Sequence, residues 1–386
     1  MRNCIIFSFV LLLMACQLSS QNKSNIQAEA EPEVNCSANP DDIAWQTLLT
    51  ENCNRLSDFG LFESTSNPRG NPRLPGLAFK LATELFTDYA HKYRFIFVPE
   101  GGVIYQPLAA FDFPIGSVLV KTFVLPESNQ ANTANDIIET RLLIRREHGW
   151  IGLPYVWNDT KTEAYLVLAG KTIEKQMTVD GVGKVFEYQV PSVADCKTCH
   201  LVRINELNKT TPIGLKARHL NRNIMDSGKE KNQLSHWLET GLLQELPDDF
   251  SQLASIPVWQ DVSRELQDRA KGYLDINCSH CHTPGGKGSE SGMYLEYWRT
   301  PDLFDHGICK RPGGFNGGDK GLVYDIVPGD AEQSLIPYRM SLLASEGDAK
   351  GQMPPLARHV NHVEAIELIR QWIDAMPYQE CAESNN

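Results

Sequence analysis

Hydrophobic positions along the chain change their period midway. From about residue 92 to 190 they follow the two-residue alternation of half-buried strands. Tyr93 to Val98 runs into the turn Pro99-Glu100-Gly101-Gly102, and Val103-Ile104-Tyr105 returns from it. Ser117 to Leu125 is rich in β-branched residues, and Ile138, Thr140, Leu142 and Ile144 alternate with Glu139, Arg141, Leu143 and Arg145. Thr162 to Leu168 is a further run. Gln176 to Val179 and Lys184 to Tyr188 flank Asp180-Gly181-Val182-Gly183, a hairpin signal. Several short strands separated by turns predict a β-sandwich-like domain.

Outside this block the period is helical. Asp42 to Leu49 reads as one helix with Asp41 as its cap, followed by a proline-rich loop from Ser64 to Pro75. Ser235 to Leu243 is a weaker helix, interrupted by Gly241. Val262 to Asn277 is amphipathic through Leu266, Ala270, Tyr273 and Leu274, and His362 to Met376 through Val363, Ile366, Ile369 and Ile373. Residues 283–321 are rich in glycine and predict little regular structure.

A formal charge of −12 makes nucleic acid an unsuitable partner. At the start, Arg2 precedes an apolar stretch from Cys4 to Ala15, too short to span a bilayer. Leu13-Met14-Ala15-Cys16 resembles a lipobox, in which cleavage leaves Cys16 lipidated; the alternative is a secretory signal cut near Ala15. The polar, acidic residues that follow cannot bury enough surface to fold and read as a tether. The expectation is an exported bacterial lipoprotein, periplasmic or cell-envelope, held to the membrane by a lipid anchor.

The strongest chemical signal is a repeated pattern, Cys196-Lys197-Thr198-Cys199-His200 and Cys278-Ser279-His280-Cys281-His282. Cys-x-x-Cys-His is the attachment signature of c-type haem: two thiols meet the two vinyl groups, and the histidine becomes the proximal iron ligand. The competing reading is a zinc site or a redox dithiol. Zinc ribbons space their Cys-x-x-Cys pairs by about 15–20 residues, whereas 78 residues lie between Cys199 and Cys278. The expected cofactor is therefore two covalent haem c groups, with Cys196, Cys199, Cys278 and Cys281 as attachment points and His200 and His282 as axial ligands. Met353-Pro354-Pro355 places a soft thioether on a stiff loop, and Met353 is expected to be the second axial ligand opposite His282. For the first iron, His219, Met225, His236, Met177 and an open position all stay in play. No catalytic constellation stands out. His148 and Asp159 stand alone, and Trp150, Tyr155 and Trp157 read as core in preference to a carbohydrate platform. An exported chain pairs its remaining cysteines, and the local choice is Cys36–Cys53 with Cys309–Cys381.

The expected fold class is α+β multidomain: an N-terminal β-sandwich-like domain, then a mainly α-helical haem region ending in a class I cytochrome c domain. The expected divisions are 1–15 signal peptide, 16–35 lipid-anchored tether, 36–190 β-rich domain, 191–260 first haem-binding segment and 261–386 cytochrome c domain.

The chain also resembles a bacterial family of exported two-haem c-type cytochromes, often lipoproteins, whose genes occur beside those of parallel β-helix proteins. The likeness covers most of residues 55–377. It rests on Leu56-Ser57-Asp58-Phe59-Gly60-Leu61-Phe62, Leu85-Phe86-Thr87-Asp88-Tyr89-Ala90, Phe113-Pro114-Ile115-Gly116, Glu139-Thr140-Arg141-Leu142-Leu143 and Tyr155-Val156-Trp157-Asn158. Further on it rests on Pro212-Ile213-Gly214, Leu220-Asn221-Arg222, Asn232-Gln233-Leu234, Asn277 to His282, Tyr324 to Asp330, Arg339-Met340 and Met353-Pro354. The resemblance implies a haem at each motif and electron transfer with redox protein partners. Two alternatives stand beside it: a peroxidase-like oxidoreductase using an open first haem, and a ligand-binding surface lipoprotein.

Overall fold

The computed structural model describes residues 36–37, 41–64, 66–226, 228–247, 253–300, 304–315, 317–347 and 350–382. The expected signal peptide, the expected tether and Cys16 lie outside the described residues.

The alternating block forms one six-stranded antiparallel sheet whose strands lie side by side in chain order. They are β1 (Leu77–Ala78), β2 (His91–Phe97), β3 (Val118–Pro126), β4 (Ala134–Arg146), β5 (Gly149–Trp157) and β6 (Ala164–Leu166). Period two sorts their side chains onto two buried faces. Phe95, Phe97, Val118, Val120, Leu142, Ile144, Leu153, Tyr155 and Trp157 pack on one face against Leu48, Leu56, Phe59, Leu61 and Phe62 from the start of the described chain. Ile96 and Leu119 face the other way, against Leu215, Leu220, Leu234, Trp237 and Ile276 from the segments that carry the two motifs. Burying an aromatic such as Trp237, which meets Phe79 edge-on, removes about 150–250 Å² from water, worth at most about 4–6 kcal/mol. Burial of this kind fastens the motif-bearing segments to the sheet.

Strands β7 (Lys171–Val179) and β8 (Val182–Val190) make a hairpin. Its turn is Asp180-Gly181, both at positive φ, as a two-residue turn between twisted strands requires. The hairpin lays Met177, Val179, Phe186 and Tyr188 over Phe123, Leu125 and Ile138.

Two parts of the expected fold class are overturned. The amino-terminal half is a single up-and-down sheet covered by loops, short helices and one hairpin, and no second sheet of comparable size faces it among the described residues. The region after residue 190 is not mainly α-helical. Its first part holds two small hairpins, β9 (Leu201–Ile204) with β10 (Leu207–Thr210), and β11 (Asn223–Asp226) with β12 (Lys229–Asn232). Helices there are short: α2 (Val193–His200), α3 (Ala217–Leu220), α4 (Gln233–Glu239) and α6 (Leu335–Ser341), joining α1 (Trp45–Thr50) from the start of the chain. Among the described residues only α5 (Leu266–Asn277) and α7 (Val363–Asp374) reach 12 residues. The structure is therefore mainly β, and the stretch between α5 and α7 consists largely of glycine-rich loops and single turns. The physical reason is that strands of four residues, as in β9 to β12, carry too few apolar positions to show a period.

α5 and α7 pack through Ala270, Leu274, Leu368, Ile369 and Trp372. Disulfides join Cys36 to Cys53 and Cys309 to Cys381. Long-range hydrogen bonds cross between the halves: Asn277 Oδ1 accepts from Phe86 N at 2.7 Å, and Asp88 Oδ1 accepts from Val360 N at 3.0 Å. Among the described residues no helix is long and apolar enough to cross a membrane.

Candidate functional site

The first motif lies on α2. Ser192 caps this helix in a reciprocal arrangement, its Oγ accepting from Asp195 N at 3.1 Å while Asp195 Oδ2 accepts from Ser192 N at 2.9 Å. Cys196 presses on β5, where a β-carbon on Gly152 would lie 3.1 Å from its sulfur. The β9–β10 hairpin brings Thr211 back to His200, whose Nδ1 donates to the Thr211 carbonyl at 2.7 Å. That bond leaves Nε2 as the ligating nitrogen, the usual arrangement of metal-bound histidine. Burial pushes the His200 imidazole down to about 4, so it is neutral, as a ligand must be.

The second motif leaves α5 directly. Cys278 N still bonds to Leu274 O at 2.9 Å, and His282 N bonds to Cys278 O at 2.9 Å, closing a tight turn. His282 repeats the logic of His200: Ser291 Oγ lies 3.2 Å from Nδ1, and burial again pushes the ring down to about 4. Burial raises the Cys278 thiol to about 12 and raises Cys196 as well. All four motif cysteines are unbridged, while Cys36, Cys53, Cys309 and Cys381 are spent on disulfides.

The two motifs, with 78 residues between Cys199 and Cys278, touch. Arg203 N donates to Gly285 O at 2.8 Å, and a β-carbon on Gly285, at φ +78, would collide with the Arg203 carbonyl. Cys281 Sγ lies 3.9 Å from Thr198 O. The ligand atoms of Cys199, His280 and Cys281 lie within 4.8 Å of one another. The Cys281 thiol donates to Cys199, which holds Cys199 well below the usual thiol range and Cys281 well above it. Two thiols and an imidazole so placed suit either thioether attachment at adjoining sites or one soft divalent metal.

Each motif opens on a cavity. That of the second motif encloses about 900 Å³ and is walled by Cys278, Cys281, His282, Arg339, Met340 and Met353. Met353 is held by its backbone: its N bonds to Arg339 O at 3.0 Å, and Arg358 Nη2 donates to its carbonyl at 3.1 Å. A volume of 900 Å³ is at the upper end of ligand pockets, about 300–1,000 Å³, so donors and space both fit a porphyrin. The cavity of the first motif encloses about 130 Å³, walled by Cys196, Cys199 and His200 on one side and by β2 to β5 on the other. Its donor set fits a haem, but a porphyrin there extends beyond the enclosed part; Cys199 lines both cavities.

None of the side chains considered for the first iron, apart from His200, lines this cavity. His219 is buried against Asp275, its Nε2 2.5 Å from Oδ2. Met225 is exposed on β11, His236 sits on α4, and Met177 is buried under the β7–β8 hairpin. Tyr155 and Trp157 are core, and Trp150 packs edge-on against Phe113. Several participants had no signature in the sequence. Thr211 and Ser291 orient the imidazoles from outside the motifs. Asp275 gathers Arg218 (3.0 and 2.8 Å), His219 and Tyr297 N (2.9 Å), joining α3 to α5. Burial alone would raise its carboxyl, but Lys216, His219 and Arg218 hold it well below the usual range. Arg94, Lys121 and Arg141 stand in the first cavity's wall, brought side by side only by the strand register.

No family model, curated protein or solved structure matches the chain.

Proposed function

We propose that this chain is an exported electron-transfer protein carrying two covalent haems, of the kind the sequence resemblance implies. Cys196 with Cys199 and Cys278 with Cys281 would hold the porphyrins by thioether bonds, and His200 and His282 would ligate the irons through Nε2. Met353 would supply the second ligand at His282. Bound haem supplies one-electron exchange at iron, and the protein tunes it by ligand identity and burial. The observation that carries the reading is the pairing of each unbridged dithiol with an imidazole anchored at Nδ1. The convergence of Cys199 and Cys281 supports a relay, since porphyrin edges bonded to those sulfurs would adjoin. The two disulfides suit an oxidising compartment.

A second reading draws on the first cavity, whose walls, among the described residues, offer no thioether and no imidazole besides His200. This favours an open sixth position at the first iron, which a peroxidase-like oxidoreductase requires.

Mass spectrometry of the purified chain should find two added porphyrin masses, and acid–acetone should release no colour. A chain with no porphyrin and one equivalent of zinc would establish the soft-metal site of Cys199, His280 and Cys281 in its place. M353A should abolish the sulfur-to-iron charge-transfer band of the second haem; its persistence would exclude Met353. Electron paramagnetic resonance separates the two haem readings: one high-spin ferric signal supports the open site, and two low-spin signals exclude it.

A further inference from the structure

We propose that Arg94, Lys121 and Arg141 form a binding subsite for a small oxyanion or carboxylate inside the cavity that His200 lines. The three residues face one another across neighbouring strands: Arg94 pairs with Lys121 in the β2–β3 register, and Lys121 pairs with Arg141 in the β3–β4 register. All three line the cavity. Like charges directly opposite across a sheet are destabilising, and the burial of Arg94 adds to the cost.

The surrounding groups do not balance this row. Glu84 accepts from Arg94 Nη1 at 2.8 Å. Glu139 takes Arg141 through Nε at 2.7 Å and Nη2 at 2.5 Å, and also accepts from Tyr188 at 2.7 Å. Lys92, one pleat along β2, adds a fourth cation and donates to Ala90 O at 2.8 Å. Asp195 is the carboxylate on the opposite wall, and its Oδ2 is engaged by Ser192. Lys121, half-buried, has no carboxylate and no hydrogen-bond acceptor among the described residues; its ammonium lies 5.6 Å from the centre of the Phe123 ring. Arg94, whose side chain is 3% exposed, has Nε and Nη2 buried without a partner. Burial and the neighbouring cations push the Lys121 ammonium down to about 7, a measure of how poorly it is compensated.

Orphaned buried donors cost about 1–3 kcal/mol each, more when charged, and a concave set of them is an anion site. The rest of the wall, Leu119, Phe123, Leu142, Leu143 and Leu153, is apolar and strengthens attraction to an anion. At about 130 Å³ the space holds a few atoms, since a water takes up about 30 Å³. The ligand class is therefore an anion the size of formate or nitrite. This goes beyond the haem reading and stands on the cavity alone; with a porphyrin on Cys196 and Cys199, the anion would border it.

The test is calorimetric titration of the full exported chain with sodium formate and sodium nitrite. A zwitterionic buffer with gluconate, too large for the cavity, keeps ionic strength constant. Haem content is measured on the same sample, so that failure of the haem reading and failure of this one are seen separately. Wild type should bind one anion per chain. K121Q should bind about tenfold more weakly or worse, and K121R should retain most of the affinity. Without anion K121Q should melt above wild type, because the row loses a like charge, and added anion should no longer raise its melting temperature. No binding of either anion by wild type would overturn the proposal, as would K121Q binding as tightly as wild type. Should K121Q fail to fold, the wild-type titration alone decides.

Discussion

Replacing Asp275 by asparagine removes one charge from a buried position that joins α3 to α5. The carboxylate accepts two bonds from Arg218, at 3.0 and 2.8 Å, one from His219 and one from Tyr297 N. Arg218 is itself only 6% exposed, and apart from Asp275 it meets the Leu108 carbonyl at 2.9 Å. Asparagine keeps an acceptor oxygen, so the bonds from neutral donors partly survive. The guanidinium is left buried without a counter-charge. Breaking a buried pair from one side costs about 3–5 kcal/mol, which for a chain of this size lowers Tm by on the order of 10 °C. Circular dichroism melting of D275N and wild type at pH 7 measures this. The double variant R218M/D275N should recover at least half of the loss, because no uncompensated cation remains. The pH dependence has a definite sign. Asp275 is held below its ordinary value, so its contribution is present above about pH 4 and is lost as acid carries the pH down through its folded pKa. The gap between wild type and D275N should thus be flat from pH 5 to 8 and narrow only in strong acid. A D275N cost below about 1 kcal/mol, or a double variant no better than the single, would refute the reasoning.

Asp325, 4% exposed on the wall of the second cavity, is raised to about 6 by burial, with Lys310 and Arg339 opposing. The native state therefore keeps a proton the unfolded chain has lost, and stability falls as pH rises from about 4 to 6. D325N should be more stable than wild type at pH 7 by up to about 3 kcal/mol and equal to it below pH 4, as read from urea midpoints; equal midpoints at pH 7 would count against the burial argument. G152V drives a side chain into Cys196 and should lower haem content from two to about one per chain, leaving the second motif loaded; unchanged content would mean Cys196 does not sit against β5 in the mature protein. C309A/C381A opens a bridge spanning 72 residues and should cost about 4 kcal/mol by loop entropy. A loss below about 1 kcal/mol in denaturant titration would show that α5 and α7 hold the chain end without it.

What the sequence disclosed depended on whether the deciding interactions were local. Strands β2, β3, β4, β7 and β8 were legible because each holds seven residues or more of alternating or β-branched and aromatic sequence. β5 was not, because Gly152 and Pro154 break its pattern, and Gly152 is there to admit Cys196. α5 and α7 were legible from their apolar stripes, and both disulfides from the cysteines left after the motifs were assigned. The short hairpins after residue 200 carried no usable period, which is why a helical region was expected there. At the site, residue types within each motif were evident. Thr211, Ser291 and Asp275 act through contacts that only the fold creates, and the row Arg94, Lys121, Arg141 becomes a row only once strand register is known.

The sheet is covered on both faces by segments distant in the chain, and this bears on what can be cut away. A fragment ending at residue 190 would lose Leu215, Leu220, Leu234, Trp237 and Ile276, leaving Phe79, Leu81, Ile96 and Leu119 bare to water. Such a patch invites aggregation. The sheet half is therefore expected to stay soluble only together with the segments that carry both cysteine motifs.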